Sequence, residues 1–368
     1  ESIPHSFEKE TGKTIKLGYQ YLQGGIFAFE GKNDQKKTLV IDPIPDLGWG
    51  TYFGGTDIDV GITIATDANG NVLGSGYTIS TNAIATTGAY QSTFGGSQDA
   101  YAVKLDPAGV RLWSTYFGGS QVDYGFSIKA DKTGNVFVGG YAASTTGIST
   151  TGAHQTANGG GNDAFLVKFS PTGTRLWGTY YGSTGDDVSQ FNSVVVDTFS
   201  NVYLAGCTTS AAGIATTGAF QATFGGSQDA FLVKFDPGGT RLWCTYFGGP
   251  SADLGFGLGI DANANVFMSG YTASASGIAT TGAYQVTYGG STDAFVSKFS
   301  SSGALLWATY FGGSANEIAE SAATDAGGNV YITAHTSSTS GIASTGAYQT
   351  TYGGGGQDAY LAKFSPTG

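Results

Sequence analysis

The sequence predicts an all-β chain, folded as a five-bladed β-propeller of four-stranded antiparallel blades. Three observations carry this. The motif W-x-T-Y-F-G-G, or a close variant, recurs at Trp49, Trp113, Trp177, Trp243 and Trp307, in steps of 64, 64, 66 and 64 residues. Each period holds short apolar runs separated by turn residues, with no helical periodicity. Several runs are apolar on both faces. In DAFLVKF (163–169), Phe165, Val167 and Phe169 lie on one side, Ala164 and Leu166 on the other. A sheet with one wet face would alternate, so these sheets are expected between others.

The second repeat gives the elements in order. Strand a is GFSIKAD (125–131), closed by the turn KTGN, whose Gly and Asn suit a tight hairpin. Strand b is NVFVGGY (135–141). A long loop, ASTTGISTTGAHQTANGGGN, leads to strand c, DAFLVKF. The turn SPTGT then leads to strand d, RLWGTYY (175–181). One d-like segment precedes everything, at 47–53, and the last repeat ends without one. If residues 47–53 pair with strand c of the last repeat (358–364), five complete blades result and the ring has no open edge. The propeller domain is therefore expected at 47–368.

Residues 1–46 differ in composition, carrying six of the sixteen Lys and Arg. TIKLGYQYLQ, GIFAFEG and KTLVIDP read as three strands of a docked meander or of the tail of an upstream domain. The chain begins at Glu1 without Met and reads as a processed product or a fragment of a larger polypeptide or assembly.

Composition excludes several classes. Gly 61 without a Gly-X-Y period is not collagen. Aromatics at 13% argue against disorder. A net charge of -11 without a Lys/Arg cluster excludes nucleic-acid backbone binding. No apolar run is long enough for membrane insertion as a helix. Cys207 and Cys244, expected on strands b and d with strand c between them, stand beyond disulfide reach and are read as free thiols.

The ordered series TYFGG, D-x-x-GNV, GYT-x-S, TTGAYQ and GG-x-x-DAF-x-x-KF resembles the bacterial seven-bladed β-propeller repeat family, abbreviated SBBP, over about 47–368. The resemblance implies the fold and an extracellular or cell-surface location, with many members exported by a type IX secretion route. Five repeats here depart from seven.

Blade connectivity puts the b–c and d–a loops on one face and the tight turns on the other, so ligand binding is expected on the loop-rich face. Candidate ligand-binding residues are Tyr90, His154, Phe220, Tyr284 and Tyr348 of TTGAYQ, with Gln91, Gln155, Gln221, Gln285 and Gln349 beside them. Rings beside amides suit sugar stacking; the alternative is that they cap the crevices between blades. A second set, Phe94, Asn158, Phe224, Tyr288 and Tyr352, follows shortly after. Asp59, Asp123, Asp187, Asp253 and Glu317, just before strand a, either bind N–H groups of their own turns or form a ring for Ca²⁺. Asp99, Asp163, Asp229, Asp293 and Asp358 are expected to pair with their own blade's Lys104, Lys168, Lys234, Lys298 or Lys363, or to take a turn bond. With Asp67, Asp131, Asp197, Asp261 and Asp325 of the a–b hairpin turns, fifteen of twenty propeller acids belong to five-fold sets, which leaves no separate carboxylate pair for glycosidase chemistry. The expectation is a non-enzymatic module without a cofactor. It would bind a protein partner in adhesion or assembly, or act as a lectin for a surface glycan with one site per blade.

Overall fold

The β-branched and aromatic runs between Gly-, Asn- and Pro-bearing turns form strands, as expected of residues that pack well on a pleated surface. The computed structural model describes residues 5–8, 11, 13–15, 18–22, 26–30, 39–42 and 47–368. Two compact units result, residues 1–52 and 53–368. In the first, Gly18–Leu22 pairs with Ile26–Glu30 and His5–Glu8 pairs with Leu39–Asp42. Three strands were expected there; the fourth, His5–Glu8, was not.

The second unit is all-β and built of antiparallel sheets, numbered here one to five. Sheet one is Asp59–Thr66, Val72–Thr78, Asp99–Leu105 and Arg111–Phe117. Sheet two is Asp123–Ala130, Val136–Ala142, Asp163–Phe169 and Arg175–Tyr181. Sheet four is Asp253–Ile260, Val266–Thr272, Asp293–Phe299 and Leu305–Phe311. Each follows the order a-b-c-d. Such four-stranded sheets are the blades of a β-propeller.

Sheets three and five depart from the pattern. In sheet three, strand a is broken into Asp187–Val188 and Val194–Val196, ahead of Val202–Thr208, Asp229–Phe235 and Arg241–Phe247. The 66-residue step between Trp177 and Trp243 inserts two residues here, and the chain bulges out through Phe191 (φ 36°) and Asn192 (φ 28°). Sheet five has three strands, Glu317–Thr324, Val330–Thr336 and Asp358–Phe364. Residues 47–53, expected as its fourth, form no strand here. The pairing needs a backbone ladder along Asp358–Phe364, and among the described residues no strand pairs on that edge.

The core lies in the seams between sheets. Phe137, Ala164 and Leu166 of sheet two pack against Phe231, Val233 and Phe235 of sheet three, all fully buried. That explains strands apolar on both faces: each sheet has a neighbour on either side. The end sheets prove the rule. Leu232 is 0% exposed and its repeat-equivalent Leu361 is 81%; Ile128 is 0% and Ile64 is 72%.

Each seam is clamped at the tight-turn face. The Trp113 indole N–H donates to the Pro171 carbonyl of the next sheet at 2.9 Å, and Lys104 Nζ reaches the same oxygen. Trp177 and Lys168 do the same to Pro237, Trp243 and Lys234 to Ser301, and Trp307 and Lys298 to Pro366.

Candidate functional site

The loop-rich face is built from the b–c loops, and their hydrogen bonds say what they do. In sheet one, Thr86 N–H donates to the Ser114 carbonyl and Tyr116 N–H to the Gln91 carbonyl. Gln91 N–H donates to Thr115 Oγ1 at 2.9 Å. The loop therefore lies along strand d and seals an edge that would otherwise present unpaired backbone.

The glutamine side chain fixes the loop. Gln91 Nε2 donates to Asp99 at 2.8 Å, and its Oε1 accepts the Gly118 N–H at 3.0 Å. Gln155, Gln221 and Gln285 make the same two bonds, to Asp163 and Gly182, Asp229 and Gly248, Asp293 and Gly312. Gln349, in the sheet without strand d, donates to the Thr351 carbonyl of its own loop.

The rings beside them bridge seams. Tyr90 packs between Phe117 of its own sheet and Phe169 of the next, with the Arg175 guanidinium 4.1 Å from its ring centre. His154 sits on Tyr181 and Phe235; burial, then the Arg241 charge, push its pKa down to about 4, so it is neutral at pH 7. Phe220 bridges Phe247 and Phe299. Tyr284 touches Phe311 and Phe364 and is 68% exposed, while Tyr348, with no sheet following it, is fully exposed. Phe94, Phe224 and Tyr288 pack on Tyr116, Tyr246 and Tyr310 of their own strands d, and Asn158 Nδ2 donates to the Ala142 carbonyl.

The acids are held separately. Asp59, Asp123, Asp187, Asp253 and Glu317 each accept a backbone N–H from their own d–a turn, at Gly55, Gly119, Ser183, Gly249 and Gly313. A Thr or Ser at the end of strand b completes each, as Thr78 does for Asp59 and Ser144 for Asp123. The structure does not gather them into a ring; among the described residues no three His, Cys, Asp or Glu come together to hold a metal. Of the two readings for Asp99 and its equivalents, the turn bond forms, from Gly95 N–H to Asp99 at 2.8 Å, and the ion pair does not. Lys104 pairs with Asp67 of the a–b turn at 2.8 Å, Lys234 with Asp197 and Lys298 with Asp261. Asp99 and its equivalents start strand c at the opposite end from the lysine, out of its reach. Burial would raise the Asp67 pKa, but the Asn71 side chain, Lys104 and two backbone N–H groups outweigh it and lower it to about 2.

A groove of about 780 Å³ runs beside Asp358–Phe364, lined by Tyr284, Phe311, Tyr348, Tyr360, Leu361 and Phe364. It occupies the place where sheets one to four carry strand d. Cys207 and Cys244 are free and buried, with burial pushing both thiols up to about 12.

Residues 112–146, which run from strand d of sheet one through strand b of sheet two, match the family model described as SBBP, beta-propeller repeat. The chain carries the SBBP repeat. An uncharacterized WD repeat-containing protein of Acanthamoeba polyphaga mimivirus is 25% identical, over 73% of this chain and 23% of that protein. The chain thus spans about a quarter of that relative. Similar solved structures include a protein assigned as a gluconolactonase (TM-score 0.36, 11% identity, 74% of this chain and 70% of that one). Another is an aldose sugar dehydrogenase from Streptomyces coelicolor in its PQQ-bound form (TM-score 0.30, 11% identity, 85% and 97%). A third is a luciferin-regenerating enzyme (TM-score 0.31, 10% identity, 75% and 84%). The expectation that the chain is not an enzyme is corrected by this finding: its solved neighbours are enzymes. At these scores they assign no activity to this chain.

Proposed function

We propose that the SBBP chain is a binding module of a secreted or cell-surface bacterial protein, meeting a protein partner through its loop-rich face in adhesion or assembly. One observation carries the choice of partner. In sheets one to three the rings of TTGAYQ each rest on rings of two sheets, and Arg175 covers Tyr90, so part of each stacking face is already taken. A sugar would need those faces open for stacking. What remains outward is a broad set of Thr and Gly loop tips, held rigid by glutamine, which suits a polar protein interface. The lectin reading keeps the exposed rings of His154, Phe220, Tyr284 and Tyr348.

A photo-crosslinking residue placed at Thr87, Thr217 or Thr281 is expected to trap a discrete protein on the bacterial surface. The same residue at Ala108 or Thr172, on the tight-turn face, is expected to trap none. A glycan array run with calcium and with EDTA is expected to be blank. Selective glycan binding that is lost in Tyr284→Ala and Tyr348→Ala would replace the protein reading with the lectin one.

The same proposal includes five blades and a closed ring. Residues 47–53 would enter the groove as strand d of sheet five, and Ile64 and Leu361 would be covered as their equivalents are. Its support is the seating of the first TYFGG copy. Phe53 stands 5.0 Å from Tyr101, as Phe117 stands 5.1 Å from Phe165 one repeat on. Val103 faces Ser114 across strands c and d, so Ala362 would face Gly50. A Gly50→Cys, Ala362→Cys double variant is expected to form a disulfide on mild oxidation. A chain that stays reduced when folded would rule out this closure.

A further inference from the structure

Four of the buried polar atoms without a hydrogen-bond partner are one atom in four repeats: Oδ1 of Asp99, Asp163, Asp229 and Asp293. These side chains are fully buried. Each Oδ2 is satisfied, by a loop N–H (Gly95, Gly159, Gly225 or Gly289, at 2.8 Å) and by the glutamine amide. A buried orphan oxygen on a carboxylate is costly, and its recurrence at every complete seam makes it a designed feature.

Across each seam lies a second fully buried acid from the next sheet: Asp123, Asp187, Asp253 or Glu317. One glycine touches both. A Cβ on Gly118 would lie 3.0 Å from Asp99 Oδ1 and 2.8 Å from Asp123 Oδ2. On Gly182 it would lie 2.7 Å from both Asp163 Oδ1 and Asp187 Oδ2, and Gly248 and Gly312 repeat the arrangement. The two carboxylates therefore flank a single Cα. A Ca²⁺ ion needs six to eight oxygens at 2.3–2.6 Å, and this backbone occupies the space it would take. The lysine of the same strand is spent elsewhere, as Lys104 is on Asp67 and Pro171. The groups acting on the pairs from neighbouring strands are acids and phenols. Tyr116 lies near Asp99, Tyr180 near Asp163, Tyr246 near Asp229, and Tyr288 and Tyr310 near Asp293; Asp186 adds to the field at Asp187.

We propose that each of the four seams holds one proton on its pair of buried carboxylates, and that losing these protons loosens the seams, making the repeat array a pH-sensitive assembly. Two like charges at a desolvated site cannot both ionise cheaply. The proton resides on the orphan oxygen of the strand-c acid, since the partner's oxygens already accept hydrogen bonds. In the same sense, burial and then the facing acid push Asp99 and Asp163 up to about 7 and Asp229 to about 6, against the opposing pull of two loop N–H groups and the glutamine amide; Asp293 shifts the same way. In the unfolded chain these acids release their protons near pH 4. Between about pH 4 and 7 the native chain thus holds more protons than the unfolded one. Stability falls as pH rises through that window and levels off above it. This is the reverse of ordinary acid denaturation.

The test is urea unfolding of the full chain between pH 4.5 and 8, for wild type and Asp229→Asn. Each proton held makes the unfolding constant rise up to about tenfold per pH unit. The wild-type midpoint is expected to fall with pH. Asp229→Asn, which keeps the shape and removes one titration, is expected to give a shallower slope and no loss at pH 7.5. An unchanged slope in the variant, or a wild-type midpoint that rises with pH, overturns the proposal. So does a midpoint at pH 7.5 that calcium raises and EDTA lowers, since a cation would then sit in the seam. If Asp229→Asn does not fold, infrared spectra of the wild type decide. A protonated-carboxyl band surviving at pH 6 supports the proposal, and its absence at that pH refutes it.

Discussion

Leucine 361 is the sharpest probe of how the array ends. It sits three residues into strand c, as Leu232 does in sheet three. Leu232 is 0% exposed, among Tyr203, Phe247, Met268 and Phe295 of sheets three and four. Leu232→Ala leaves a cavity in a seam and should cost about 2–5 kcal/mol. At about 3 kcal/mol the unfolding constant changes roughly 150-fold. In a closed ring Leu361 enters the same environment against sheet one, so Leu361→Ala should cost a comparable amount. Leu242→Ala, on the half-exposed outward side of strand d, is the control and should stay within about 0.5 kcal/mol of wild type. Urea unfolding followed by tryptophan emission measures all three. Each sheet meets only its neighbours, so sheets can be lost separately, and amide exchange in sheets three and five should be read alongside. A Leu361→Ala chain as stable as wild type refutes closure, because it leaves that face wet in solution. A cost below about 1 kcal/mol for Leu232→Ala refutes the broader claim that the seams carry the stability.

Other predictions follow from single contacts. Lys104→Met leaves Asp67 with its Asn69 and Asn71 hydrogen bonds but no cation, and should cost about 1.5–3 kcal/mol at pH 7 in chemical denaturation. Asp67, lowered to about 2, contributes stability above about pH 4 that is lost as pH falls through 2, so wild type should also weaken in strong acid. Gly182→Ala forces a methyl against two carboxylates at 2.7 Å and should cost about 1–3 kcal/mol of overpacking, seen as a lower calorimetric Tm. Cys207 and Cys244 should resist a thiol reagent in the native chain and react fully in denaturant; fast labelling of the folded protein would contradict their burial.

Much of the fold was legible because a repeat reports the same constraint several times. Strands c and d of sheet two were read to the residue, since DAFLVKF and RLWGTYY are bounded by turn residues on both sides. The break in sheet three was not read, although its cause, the 66-residue step, was visible. A two-residue insertion can enter a loop or a strand, and only the packing of Phe191 on Phe126 and Phe256 decides for the inner strand. The pairing of Lys104 was misassigned for a related reason. Asp99 and Lys104 share a strand, but five residues of extended chain separate them, whereas the hairpin returns Asp67 to the lysine's end. The role of Gln91 was invisible, because its two partners, Asp99 at the start of strand c and Gly118 just past strand d, are brought together only by the fold.

The five-fold features are thus spent on holding sheets together. Tryptophan and lysine close each seam at the tight-turn face, apolar side chains fill its middle, and glutamine with the carboxylate pair closes it at the loop-rich face. A residue repeated along the array has a structural duty at each complete seam, so specificity there has to come from what is not repeated. The Phe191–Asn192 bulge is such a departure. Asn192 accepts the Leu258 N–H and donates to Ser321 and Ala322, tying the inner strands of sheets four and five to sheet three. Deleting the two residues should restore a continuous strand in sheet three while cutting that tie. If the seams alone set the geometry, amide exchange in sheet five will be unchanged. If the bulge sets it, protection there will fall with sheets one and two untouched.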